Sequence, residues 1–173
     1  MHAGVGVSGM KVYHGSSLVV AKPDLSKSKV RIDFGSGFYV TTFREQAEKW
    51  SRRKALRKRT RAFVSEFELN ESLLPELKVK RFAEADIEWL DFVVSCRRGT
   101  DLGSDYDVII GPVADDAVYE AVNMYLTGLW DANRTIEEVR YYKSNDQIVI
   151  KTADAVDKLL TFVCGYEVEA GHV

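Results

Sequence analysis

DFGSGFYVTT, Asp33 to Thr42, sets two glycines one residue apart before an aromatic pair, a β-branched residue and two threonines. The element that follows the glycines decides the fold class. A phosphate-cradling GxGxxG loop follows a strand and opens a helix. Here the third glycine is absent, and Phe38 to Thr42 reads as a strand. A doubly wound dinucleotide-binding fold is therefore rejected. A tight hairpin accounts for the glycines, which tolerate positive φ and let another group approach the backbone with no Cβ in the way. It does not account for Tyr39 beside them.

On either side, Lys11 to His14 reads as a short strand stopped by Gly15-Ser16. Phe43, Ala47 and Trp50 recur at helical spacing, predicting a helix from Arg44 to about Lys58. Ala62 to Leu69 alternates apolar and polar residues, the pattern of a strand with one wet face. A turn at Pro75 precedes a helix over Ala85 to Cys96. Tyr106 to Ile110 is an apolar strand closed by Gly111-Pro112, and Ala114 to Leu126 is a helix with Val118, Ala121, Val122 and Tyr125 on one stripe. Gln147 to Ile150 is a strong strand. A short helix over Ala153 to Leu160 and a strand over Thr161 to Val168 complete the order. Without repeats, a linker or a regular βαβ rhythm, the expected class is α+β. The expected organisation is a Gly-rich leader (1–9), one domain (10–168) and a short tail (169–173).

The chain has 173 residues, 46% hydrophobic and 29% charged, which suits a globular protein. No apolar run approaches the ~20 residues that span a bilayer, and no signal-peptide layout opens the sequence, so a cytoplasmic protein without membrane contact is expected. Two cysteines, Cys96 and Cys164, with no CxxC and no His at metal spacing, read as buried reduced thiols rather than zinc ligands. A net charge of −2 gives no global attraction to nucleic acid. The exception is RRKALRKRTR, Arg52 to Arg61, with seven Lys/Arg in ten residues. Such a run is either a solvated helix end or a phosphate-binding patch. No aromatics alternate with the charges for base stacking.

His14-Gly15-Ser16 repeats the theme of the opening stretch, a hydrogen-bonding ring followed by bare backbone. Together, YHGS (Tyr13 to Ser16), FGSGFYVTT (Phe34 to Thr42) and QIVI (Gln147 to Ile150) resemble the ADP-ribosyltransferase superfamily. The likeness is to its poly-ADP-ribose-polymerase and diphtheria-toxin branch, which carries a His–Tyr–Glu triad. DYDVIIGPVADD, Asp105 to Asp116, is similar to a family of small bacterial proteins in that clan, so the resemblance runs roughly from Met10 to Tyr166. It implies a split, twisted β-core holding NAD, the co-substrate, in a cleft between two half-sheets. It also implies a mono-ADP-ribosyltransferase, a glycosyltransferase acting on a protein or nucleic-acid acceptor. Genes of this kind often lie beside a partner gene, which implies a toxin and an antitoxin.

Roles follow from position in that resemblance. His14 would hydrogen-bond the adenosine-side ribose, with Ser16 completing its motif. Gly15 would offer N–H and C=O to the nicotinamide carboxamide, Gly37 would clear space, and Tyr39 would stack on the nicotinamide ring. Trp50 stands where related polymerases carry a second stacking tyrosine; core packing with Phe43 and Ala47 is the alternative. The third triad position holds Gln147, preceded by Asp146, instead of Glu.

That replacement bears on the chemistry. Breaking the bond between ribose and pyridinium passes through an oxocarbenium-like state, which a carboxylate on the ribose hydroxyl stabilises. Glutamine accepts a hydrogen bond without charge and cannot act as general base. Either the acceptor brings its own charge, or Asp146, Asp115 or Asp116 supplies it, or NAD is held without turnover. Asp115-Asp116 also suits a helix N-cap. The competing function is a catalytically inactive NAD-binding or protein-interaction module. The related fold of RNA 2′-phosphotransferases ranks behind both, because its additional basic pocket residues have no counterpart that can be located.

Overall fold

The computed structural model describes residues 9–114, 116–141 and 145–169. In chain order these form β1 (Met10–Ser16), β2 (Phe38–Val40), α1 (Arg44–Lys58), β3 (Ala62–Leu69), β4 (Val79–Arg81) and α2 (Ile87–Arg98). They continue with β5 (Val108–Pro112), α3 (Asp116–Leu126), α4 (Ala132–Tyr141), β6 (Asp146–Ile150), α5 (Ala153–Leu159) and β7 (Leu160–Val168). Short 3-10 turns cover Leu25–Lys27 and Glu71–Glu76, the second holding Pro75. The class is α+β, with one antiparallel and one mixed sheet and flanking helices. The expected leader (1–9) and tail (169–173) lie outside the described residues except for Gly9 and Glu169. No helix among the described residues is long and apolar enough to cross a membrane.

The chain divides into two compact units. Of the described residues, unit 1 takes those up to Pro23, Val40–Lys78 and those from Ala153 onward; unit 2 takes Asp24–Tyr39 and Val79–Thr152.

Unit 1 is built on the antiparallel sheet β1-β3-β7. Its register sets His14 opposite Ser65 and Gly15 opposite Val64, and on the other side Ser65 opposite Gly165. Strand alternation then puts Tyr13, Gly15, Val64 and Tyr166 on one face and Val12, His14, Ser65 and Phe67 on the other. Helix α1 covers the first face. Its buried residues are Gln46, Ala47, Ser51 and Ala55, so of the expected stripe Phe43, Ala47 and Trp50 only Ala47 is buried. Phe43 precedes the helix and is exposed, while Trp50 is half-buried. The physical reason is distance: a helix laid against a strand glycine presents its small residues there, and large rings are turned to the flanks. Cys164 corrects a second expectation. It lies exposed on β7, the outer strand, next to a bulge between Glu66 and Phe67; only Cys96 is a buried thiol.

Unit 2 is built on a sheet of order β2-β6-β5-β4, with β5 antiparallel to β6 and parallel to β4. Phe34, Phe82 and Phe92 form a ring cluster with centroids 5.1–6.0 Å apart, packed with Trp89, Leu90, Val93 and Ile109. Val118, Ala121 and Val122 of α3 are buried there, with Tyr125 packed beside them, as the helical stripe predicts. Helix α2 begins two residues later than expected because Asp86 caps it, accepting from Trp89 N–H at 2.8 Å; Gly99 in the left-handed region ends it.

Candidate functional site

Gly15 is where α1 comes closest to β1. A Cβ added there would fall on the Ala47 carbonyl oxygen and lie 2.8 Å from Ser51 N. The missing side chain is thus used by protein backbone. The polar edge of Gly15 is a separate matter. Tyr13 exchanges both backbone bonds with Thr41, at 2.8 and 3.0 Å, on the side away from β3. Residues two apart in a strand direct their N–H and C=O groups the same way, so those of Gly15 also leave the sheet on that side. The Gly15 carbonyl there accepts from Lys54 Nζ at 2.7 Å.

His14 is buried on the face opposite α1, across from Ser65. The same Ser65 accepts through Oγ from Val20 N–H at 2.8 Å, which folds the segment after β1 over that face. Ser16 is half-buried at the end of β1. Unit 1 therefore gathers His14, Gly15 and Ser16 on one strand and Trp50 on the helix packed against it.

Unit 2 holds Gly37, Tyr39 and Gln147. The loop from Asp33 to Gly37 is strapped down from several directions. Phe34 is fully buried in the ring cluster. The Tyr39 hydroxyl donates to Gly35 C=O at 2.6 Å and accepts from Phe34 N–H at 3.1 Å. Lys151, just after β6, donates to Phe34 C=O at 2.8 Å and to Ser36 C=O at 2.6 Å, and lies 3.6 Å from Asp101. Burial lowers the Lys151 ammonium below its ordinary pKa against the opposing pull of Asp101. Gly37 N–H donates to Ser28 Oγ at 2.6 Å, and a Cβ at Gly37 would collide with Val149 and stand 3.0 Å from Ile150 O.

Burial, then the neighbouring Asp33 charge, push the Tyr39 phenol well above its ordinary pKa. Only the neutral phenol can donate to Gly35 C=O, while the bond accepted from Phe34 N–H opposes the rise. A group whose folded pKa exceeds its unfolded value stabilises the fold below the unfolded pKa, and that stability is lost as pH rises. The stability lead of the wild type over Tyr39→Phe is therefore expected to shrink as pH rises above about 10. Urea unfolding of both proteins at pH 8 and above pH 10 measures it; a constant difference contradicts the assignment.

Gln147 is only 3% exposed, opposite Gly111 in the β5–β6 pair. Its Nε2 donates to Pro112 C=O at 3.2 Å and to Asp33 Oδ2 at 3.3 Å. The other oxygen of Asp33 accepts from Arg97 Nε at 2.9 Å and Nη2 at 2.6 Å. Both side chains of this ion pair are nearly buried, at 10% and 14% exposed. The guanidinium also stacks 4.5 Å from the centre of the Tyr119 ring. The carboxylate beside Gln147 is therefore Asp33. Asp146 opens β6 opposite Pro112, and Asp115 lies outside the described residues.

Asp33, Arg97 and Lys151 were not singled out from sequence. Asp33 stands first in the stretch that decides the fold, but Arg97 is 64 residues away and Lys151 follows β6. No local spacing connects them. Among the described residues, no cluster of His, Cys, Asp and Glu could hold a metal ion.

No curated protein matches the chain. The family model described as "Protein of unknown function (DUF3990)" matches residues 10–162, from the start of β1 into β7. By that match, the chain belongs to the DUF3990 family.

Proposed function

We propose that this protein is an NAD-dependent mono-ADP-ribosyltransferase, a glycosyltransferase whose acceptor is a macromolecule. The observation that carries the reading is the end of β1. A buried histidine is followed there by a glycine whose N–H and C=O both leave the sheet edge. A carboxamide needs one donor and one acceptor side by side, and a single strand residue supplies both. In this reading His14 holds the adenosine-side ribose and Gly15 the nicotinamide carboxamide, displacing Lys54. Ser16 completes the His14 motif, Gly37 clears space, and Tyr39 and Trp50 are the rings the reading assigns to the cationic nicotinamide. An ADP-ribosyltransferase-like fold with an NAD cleft is part of the proposal, as are the antitoxin partner and the cytoplasmic setting.

Gln147 supports transfer of single units over chain elongation. It can accept a ribose hydroxyl hydrogen bond through Oε1 while Nε2 remains on Pro112 and Asp33. Asp33 adds negative charge next to it, partly offset by Arg97. A general base contributes typically ~10²–10⁴ in rate, so an enzyme without one depends on an acceptor that brings its own charge.

The same amide favours the second reading, an inactive NAD-binding or protein-interaction module, because a buried glutamine bonded to a carbonyl is a stable structural element. Incubation with NAD labelled in its adenylate moiety, followed by separation of protein, RNA and DNA, distinguishes the two. The transferase reading expects label in one pool and its loss in Tyr39→Ala. Tight NAD binding with no label in any pool selects the inactive module.

A further inference from the structure

Two neighbours within unit 2 decide which way the Gln147 amide points. Its Nε2 lies 3.2 Å from Pro112 C=O and 3.3 Å from Asp33 Oδ2. A backbone carbonyl can only accept, and so can a carboxylate paired with a guanidinium. Only the NH2 end of an amide can face such neighbours. Turned over, Oε1 would meet two acceptors and every group there would lose its partner. Both N–H groups are thereby engaged, and accepting is all that remains for Oε1 to offer.

Asp33 is itself held in place. Its Oδ1 accepts from Nε and Nη2 of Arg97, whose guanidinium stacks on the Tyr119 ring, so Oδ2 is the oxygen turned to Gln147. A hydrogen bond given to an anion pushes electron density through the amide onto its oxygen, which makes Oε1 a stronger acceptor. A glutamate at this position would fare worse. It would bring no N–H to Pro112 C=O and would set a second carboxylate beside Asp33, with one guanidinium to serve both.

We infer that Asp33 is a positioning residue that locks the Gln147 amide with Oε1 as acceptor for a ligand hydroxyl, so that the amide is the working group here and not a weakened glutamate. The identity of that hydroxyl, a ribose one, rests on the NAD reading; the lock does not.

Two measurements on the full chain test this. Gln46 and Gln147 are the two glutamines, so isotope labelling of the glutamine side-chain amide gives two NH2 signals by NMR, assigned by the one that Gln147→Glu removes. The lock predicts that the Gln147 N–H groups exchange with solvent at least about tenfold more slowly than in the unfolded chain. Exchange as fast as in the unfolded chain overturns the inference, whatever the protein binds.

Nicotinamide release from NAD, normalised to folded protein, is the second. Gln147→Glu restores the residue of the triad, yet it is expected to lower kcat/KM by about 10–100-fold. Asp33→Asn is expected to do the same, because the new asparagine keeps its oxygen on Arg97 and turns its NH2 toward Nε2. Asp33→Asn/Gln147→Glu exchanges amide and carboxylate and keeps one negative charge beside Arg97. It is expected to exceed both single variants, partially restoring activity, and it remains informative if either of them fails to fold. Gln147→Glu at or above the wild-type rate overturns the inference and leaves the NAD reading standing; Arg97 would then have turned its buried, unpartnered Nη1 to the new carboxylate. A combined variant no better than the single ones also overturns it. No release by the wild type removes the NAD reading and the ribose role together, and slow amide exchange then upholds the lock alone.

Discussion

Gly15→Ala is expected to destabilise the protein by about 3 kcal/mol, near the top of the range for overpacking. Strand propensity argues the other way, because alanine in a strand is favoured over glycine by roughly 0.5–1 kcal/mol. The clash wins because its partner is backbone. The new methyl would fall on the Ala47 carbonyl oxygen and press on Ser51 N, neither of which can rotate aside. Relief requires α1 to withdraw from β1, which unpacks Ala47 and Ala55 from Val64. Urea denaturation of the two proteins measures the loss. A midpoint equal to that of the wild type would show that α1 does not approach β1 this closely. On the proposed NAD reading, the variant is also expected to weaken NAD binding, since the same displacement moves Lys54 and the Gly15 edge.

Arg97→Ala is expected to cost about 3–5 kcal/mol, the penalty for stranding one charge of a buried pair. Without the guanidinium, Asp33 keeps, among the described residues, the 3.3 Å contact from Gln147. Arg97→Lys is expected to recover part of the loss, because it restores charge but not the two bonds to Oδ1 or the stacking on Tyr119. Asp33→Asn combined with Arg97→Met is expected to restore most of the stability, since neither charge then remains buried alone. Thermal or urea unfolding of the three variants checks the order. A combined variant as unstable as Arg97→Ala would show that the pair acts through something other than its charge.

The parts of the fold legible in sequence are those whose signals are local. The helix from Arg44 to Lys58 and the strand from Ala62 to Leu69 have the bounds their periodicity predicts. The face α1 buries differs from the one its periodicity predicts, because which side of a helix packs depends on the strand it meets, and Gly15 selects small residues. Two elements gave too little signal. β4 is the short, mostly polar tripeptide Val79–Arg81, and the described side chains that α4 buries are Thr135, Ile136 and Val139 in an otherwise polar run. Its clearest local sign was Asp131, whose carboxylate accepts from Arg134 N–H at 2.9 Å.

The candidate site divides in the same way. His14, Gly15 and Tyr39 stood out because a ring beside bare backbone is visible over three or four residues. The environment of Gln147 was not visible. Asp33 reaches it from 114 residues away, with Arg97 bonded behind it, whereas of the acids the sequence offers only Asp146 adjoins Gln147 in the chain.

Release of nicotinamide from NAD by the purified full chain, with protein and nucleic-acid acceptors present, tests the proposed function most directly. Release above the protein-free rate is expected, retained in Tyr39→Phe, which keeps the stacking ring, and lost in Tyr39→Ala, which does not. Release at the protein-free rate with every acceptor pool, from a folded wild-type protein, would contradict it.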